Sequence, residues 1–277
     1  MSGILQQDQD QERNRAIGVF DSGVGGLTVV SEIMKALPNE NIVYFGDTAR
    51  VPYGSKSQET VTRFSLQVVN FLLTQQVKAI IIACGTASSN SYEALTAAFD
   101  IPMIEVVRPG AALCLQTPGL KRVGVIGTER TIKSHAYEHC LLEAKPDLEV
   151  YARACPLFVP LAEEGWTDNE VARITAEMYL KDLREKQVDA LILGCTHYPL
   201  LETCIRQAIG PATIINPAVA TAQQMRDYLT ANGLMRTEQT PATHTFYVSD
   251  NTEKFDRICR LVLDRPYSAE IVDIEAY

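Results

Sequence analysis

Ala79-Ile-Ile-Ile-Ala-Cys-Gly-Thr86 and, 111 residues further on, Ala190-Leu-Ile-Leu-Gly-Cys-Thr-His197 share one pattern: an apolar run that ends in a cysteine. A second pair keeps nearly the same spacing. Ile17-Gly-Val-Phe-Asp-Ser-Gly23 is echoed 106 residues later by Val123-Gly-Val-Ile-Gly-Thr-Glu129. Two near-equal offsets mark two similar halves, which decides architecture before any single element is read. The segments between the runs read as helices. Val61, Phe64, Val68, Phe71 and Leu72 recur at three- and four-residue spacing behind Ser57, a good N-cap, and predict a helix over 58–75. Thr167 with Glu170 makes a capping box, and Val171, Ile174, Met178 and Leu183 predict one apolar face for a helix ending near Lys186. Apolar strands alternating with helices are βαβ units. The expected fold is therefore α/β, two pseudo-symmetric βαβ-type domains with parallel-rich sheets, and ligands belong beyond the carboxyl ends of the strands.

Length agrees with two units: 277 residues is long for one core and comfortable for two. Hydrophobic residues make up 46% and charged residues 21%, the balance of a globular chain with a packed core. The net charge of -9, from 25 Lys plus Arg against 34 Asp plus Glu, offers no basic footprint for nucleic acid or an acidic membrane. The apolar runs are far shorter than the roughly 18 residues a membrane span needs. Residues 1–15 are rich in Gln and Asp and lack the basic start and apolar stretch of a signal peptide, so a disordered tail and a cytoplasmic location are expected. The expected domains are 16–108 plus 217–277 and 109–216, punctuated by Arg108-Pro109-Gly110 and Asn216-Pro217. One more strand, near 244–248, is expected after Asn216.

Seven cysteines with no C-x-x-C spacing exclude a zinc ribbon and argue against a disulfide framework. Five read as buried hydrophobes. Cys84 and Cys195 differ, because they occupy equivalent strand ends just before helix starts, where free N–H groups and the helix dipole are expected to lower the thiol pKa toward neutrality. If the halves face one another, the two sulfurs approach one ligand from opposite sides. That geometry suits inversion at a carbon acid, one thiolate removing a proton while the other thiol returns one. The turn Asp21-Ser-Gly-Val-Gly-Gly-Leu27 resembles a dinucleotide loop but has Thr28 where the third glycine belongs. It reads better as a tight turn presenting Asp21 and Ser22 to a ligand ammonium, with plain helix capping by Asp21 as the alternative. His197 reads as a group that tunes Cys195. His135, His139 and His244 lack the spacing of a metal site, so neither metal nor cofactor is expected.

Six stretches together resemble the cofactor-independent glutamate racemases: Gly18-Val-Phe-Asp-Ser-Gly-Val-Gly-Gly-Leu27, Asp47-Thr-Ala-Arg-Val-Pro-Tyr-Gly54, Ala83-Cys-Gly-Thr-Ala-Ser88, Gly127-Thr-Glu-Arg-Thr-Ile-Lys-Ser134, Cys155-Pro-Leu-Phe-Val-Pro-Leu161 and Leu193-Gly-Cys-Thr-His-Tyr-Pro-Leu200. The resemblance implies a cleft between two domains in which Cys84 and Cys195 invert glutamate, Asp21 and His197 assist the two thiols, and Glu163 supports His197. It also implies that Ser22, Tyr53, Gly54, Thr86 and Thr196 hold the ammonium and carboxylates, with Pro52, Gly85, Thr128 and Thr131 in the same substrate-binding set. D-Glutamate for cell-wall peptidoglycan, hence cell shape, is the implied purpose, and a homodimer the implied assembly. One departure stands out. The family usually has Asn where this chain has Gly85, and loss of that amide is expected to weaken substrate binding by on the order of 1 kcal/mol. The alternatives are a sister racemase acting on aspartate or another acidic amino acid, and a ligand-binding paralogue that no longer turns over.

Overall fold

The computed structural model describes residues 10–263 and 265–277. Two wholly parallel sheets organise them. The first holds β1 (Ile17–Asp21), β2 (Ile42–Gly46), β3 (Ala79–Ile82), β4 (Met103–Glu105), β9 (His244–Val248) and β10 (Ala269–Ile271), in the order β10-β9-β2-β1-β3-β4. The second holds β5 (Arg122–Gly127), β6 (Glu149–Ala154), β7 (Ala190–Leu193) and β8 (Thr213–Ile215), in the order β6-β5-β7-β8. The four-strand blocks β2-β1-β3-β4 and β6-β5-β7-β8 have one and the same topology, as the repeated segments required. Each central strand pairs on both sides: Ile17 lies opposite Ile42 and Ala79, and Val123 opposite Val150 and Ala190.

Burial on both faces explains why these strands read as continuous apolar runs. Val19, Ala79 and Ile81 face a core shared with helices Leu27–Ala36, Pro217–Ala231 and Thr252–Val262, while Phe20, Ile80 and Ile82 face helices Gln58–Thr74 and Gly85–Ala98. The second sheet is sandwiched in the same way, with helices Glu170–Glu185 and Glu202–Ile209 on one face and Val107–Leu115 and Ala136–Ala144 on the other.

Several local expectations are met and others corrected. Ser57 caps the helix Gln58–Thr74, accepting from the Thr60 amide at 3.3 Å, and Val61, Val68, Phe71 and Leu72 are buried. The helix Glu170–Glu185 is capped by Asn169, which accepts from the Ala172 amide at 2.9 Å, and not by Thr167. Its buried face is Ala172, Ala176, Leu180 and Leu183; Val171, Ile174 and Met178 are exposed by 48%, 50% and 73%. Ala172 and Ala176 give this face a close approach to its neighbours, and Val171, Ile174 and Met178 lie outside it. Arg108-Pro109-Gly110 lies within the helix Val107–Leu115. Two strands, β9 and β10, follow Asn216 where one was expected. The tail expected over 1–15 lies outside the described residues for 1–9 and is helical over 10–14. No described helix is long and apolar enough to cross a membrane.

Candidate active site

The carboxyl ends of β1 and β3 face those of β5 and β7 across a cavity of about 540 Å³. Ser22, Pro52, Tyr53, Gly54, Cys84, Gly85, Thr86, Thr128, Glu163, Cys195, Thr196 and His197 line it. A larger groove of about 720 Å³ between helices Leu27–Ala36, Val107–Leu115 and Pro217–Ala231 contains no cysteine or histidine.

Cys84 is the N-cap of helix Gly85–Ala98. Its sulfur accepts from the Ala87 amide at 3.5 Å, and its thiol lies 3.4 Å from the Ser22 hydroxyl. Burial and the nearby Asp21 carboxylate outweigh these donors and push the Cys84 thiol up to about 12, opposite to the expected fall. Desolvation of a thiolate here exceeds what one helix N-terminus returns. Asp21 is itself pushed up by burial, against the pull of His197, of the backbone amides at Gly23 and Gly26, and of Thr196. It accepts from the Gly23 amide at 3.1 Å and from the Thr196 hydroxyl, across the cleft, at 3.2 Å. It does not cap the following helix, whose N-cap is Gly26.

Cys195 has different surroundings. The chain passes Thr196 and His197 before a short 3₁₀ turn, Tyr198–Leu201, with Pro199 in its first turn; the α-helix starts only at Glu202. Cys195 is therefore not a helix cap, and its partner is a side chain: His197 Nδ1 lies 3.7 Å from its sulfur. Nε2 of the same ring is 3.3 Å from Glu163 Oε1, at ion-pair distance but without the alignment of a hydrogen bond. Burial opposes charge on His197, yet Cys195, Glu163 and Asp21 together raise it to about 10. Burial would likewise raise Glu163, but His197 and Lys254 hold it down to about 2. The pairing thus favours a protonated ring and an ionised carboxylate.

Glycines bring the halves together. A Cβ at Gly25 would lie 2.4 Å from Thr196 Oγ1 and 2.6 Å from His197, and a Cβ at Gly85 would lie 2.3 Å from the Gly194 carbonyl oxygen. The glycine turn after β1 thus serves close approach of the second half, where the sequence alone offered a phosphate loop as the competing idea. Gly85 is likewise more than a lost amide, since the space that an Asn would occupy is filled by backbone. Thr86, Thr128 and Thr131 form a hydroxyl cluster across the cleft, with Thr86 to Thr128 at 2.9 Å and Thr128 to Thr131 at 3.0 Å. Thr131 is behind this cluster and does not line the cavity, and Asp21 lies just behind its wall, acting on it through Cys84, Thr196 and His197. Lys254, from helix Thr252–Val262, lines the cavity without having been singled out in the sequence; nothing about its local pattern distinguishes it from a solvated lysine. Among the described residues, no group of three or more His, Cys, Asp or Glu is placed to hold a metal ion.

The family described as Asp/Glu/Hydantoin racemase matches residues 17–225. A glutamate racemase of Geobacter metallireducens is 52% identical over 245 residues, 88% of this chain and 91% of that protein. A glutamate racemase of Chlorobaculum tepidum is 46% identical over 94% of each chain. The crystal structure of glutamate racemase from Francisella tularensis in complex with D-glutamate superposes with a TM-score of 0.90 at 41% identity, over 96% of this chain and 100% of that one.

Proposed function

We propose a function on one established premise: the chain belongs to the Asp/Glu/hydantoin racemase family. It is an amino-acid racemase that interconverts L- and D-glutamate, and its D-glutamate serves cell-wall peptidoglycan. The observation that carries the mechanism is that two cysteines, from equivalent strand ends of two sheets, line one cavity.

In the proposed reaction, the thiolate of one cysteine takes the α-proton, and the electron pair left on carbon delocalises into the α-carboxylate. The thiol opposite then gives its proton to the other face. The sulfurs have exchanged protonation states, and the reverse reaction starts from there. Both transfers are carried by side chains of this chain, so the mechanism requires no metal or coenzyme. His197 lies beside Cys195, its Nδ1 3.7 Å from the sulfur, while Cys84, buried beside Asp21, holds its proton. A substrate ammonium settling near Asp21 and Ser22 would offset the Asp21 charge and ease ionisation of Cys84. The amides of Gly85 and Thr86 at a helix start, with Thr128 and the Tyr53-Gly54 backbone, are the proposed carboxylate holders, Thr131 backing Thr128 and Pro52 walling the site. Glu163 orients His197.

The proposed domain division is 16–108 with 217–277 against 109–216, and the proposed working form is a cytoplasmic homodimer, an assembly that light scattering reads directly. Incubation with L-glutamate and, separately, L-aspartate in deuterated water tests the function. Exchange of the α-hydrogen and loss of optical rotation with glutamate are expected. Turnover of aspartate alone, or of neither, would sink the glutamate reading.

A further inference from the structure

The arrangement around Glu163 contains a group that neither the sequence pattern nor the two-thiol reaction accounts for. Glu163 belongs to the second half and uses one oxygen, Oε1, toward His197. Its other oxygen, Oε2, accepts from Lys254 Nζ at 2.8 Å, and Lys254 comes from helix Thr252–Val262, which packs on the first sheet. One turn later Arg257 donates to the Glu163 carbonyl oxygen and to Glu164 Oε2, both at 3.1 Å. The Arg257–Glu164 pair is half-exposed at both ends, and such pairs contribute little. The Lys254–Glu163 contact differs: its carboxylate is only 13% exposed and the lysine lines the cavity.

We propose that Lys254 is a positioning residue for the Cys195 side of the site, holding Glu163 across the cleft so that the carboxylate keeps the His197 ring turned onto the Cys195 sulfur. This rests on the racemase reading above. The ring needs such a hold, because its contact with Glu163 is not an aligned hydrogen bond and the ring orientation depends on where the carboxylate is kept. The relay also crosses between the halves: Lys254 is in place only when the helix of the first half meets the second. Assembly of the Cys195 environment is thereby coupled to approach of the halves, whereas Cys84 obtains its hydrogen-bond partners, Ser22 and Ala87, from its own half.

The charged and titratable groups that face this relay are few. His197 is faced by Cys195, by Glu163 and by Asp21 from the end of β1; Glu163 is faced by His197 and Lys254. Tyr137, Cys155 and Tyr198 lie near Cys195, and burial raises all three, leaving them neutral at physiological pH.

Lys254→Met and Lys254→Arg test the proposal with two readouts, glutamate kinetics and iodoacetamide alkylation of each cysteine followed by mass spectrometry from neutral pH to about 10. For Lys254→Met, kcat is expected to fall about tenfold or more with KM within about twofold, the range for a displaced catalytic group. Cys195 should alkylate more slowly than in the wild type, Cys84 should keep its profile, and Lys254→Arg should restore both readouts. A raised KM with kcat kept would make Lys254 a substrate contact and overturn the proposal. So would equal changes at both cysteines, which would mean a loosened cleft, or no change at either. If the wild-type protein does not racemise glutamate, the functional reading fails on its own and the alkylation profiles alone decide the role of Lys254.

Discussion

The strand ends of β3 and β7 occupy the same place in the same topology, yet each builds a different setting for its cysteine. After Cys84 the chain enters an α-helix at once, and Cys84 is dressed by that helix's amide, the Ser22 hydroxyl and the Asp21 carboxylate. After Cys195 two residues intervene before a 3₁₀ turn, and the sulfur is served by His197, Glu163 and, through them, Lys254 of the other half. A duplicated scaffold therefore delivers two thiols to one cavity without giving them one environment. The electrostatics follow from what is imported: an anion beside Cys84, a cation beside Cys195.

The largest expected effect treats the halves alike. Cys84→Ala and Cys195→Ala should each lower racemisation by at least about a thousandfold, since each removes one obligatory proton carrier. Far-ultraviolet circular dichroism should stay at wild type. Near-normal turnover in either variant would mean that the halves are not partners in one reaction.

Gly85→Asn probes their closeness. With Gly194 carbonyl oxygen 2.3 Å from the added Cβ, the halves must separate or the turn must shift. We expect kcat/KM to fall about tenfold or more, with a lower melting temperature. A lower KM and an unchanged melt would instead support the view that a binding amide is simply missing there.

The pH dependence of stability sharpens the electrostatic difference. His197 is raised from 6.5 to about 10, so its contribution is full below about 6.5 and is lost as pH rises through about 10. Cys84, raised from 9.0 to about 12, loses its contribution only from about 9 upward. The melting temperature should therefore decline by a few degrees between pH 7 and about 9 in the wild type and less in His197→Asn, while Cys84→Ala should leave this part of the curve unaltered. Parallel curves for wild type and His197→Asn would contradict the assignment.

The smallest effect compares the crossover helices. Gln58–Thr74 buries Val68, Phe71 and Leu72, whereas Glu170–Glu185 buries two alanines with Leu180 and Leu183 and exposes Met178. Met178→Lys should change stability by less than about 0.5 kcal/mol, against about 2–5 kcal/mol for Leu180→Ala on the same helix, measured by urea unfolding.

The sequence by itself determined what short-range pattern can carry: the repeat, the parallel strands that read as unbroken apolar runs, the helix behind Ser57, and two cysteines at equivalent strand ends. Local chemistry also singled out Asp21 and His197, and motif resemblance added Glu163; the fold gathers all three at the cavity or against it. Only the tertiary structure decided which face of helix Glu170–Glu185 is buried, because periodicity records that residues share a side and not how closely a neighbour packs. It also decided that Gly25 and Gly85 are contact points between halves, that Cys84 is pushed up and not down, and that Lys254 reaches Glu163. Each of these depends on groups remote in sequence. Desolvation and cross-cleft contact are set by what the folded chain brings alongside a residue, and no local window contains that information.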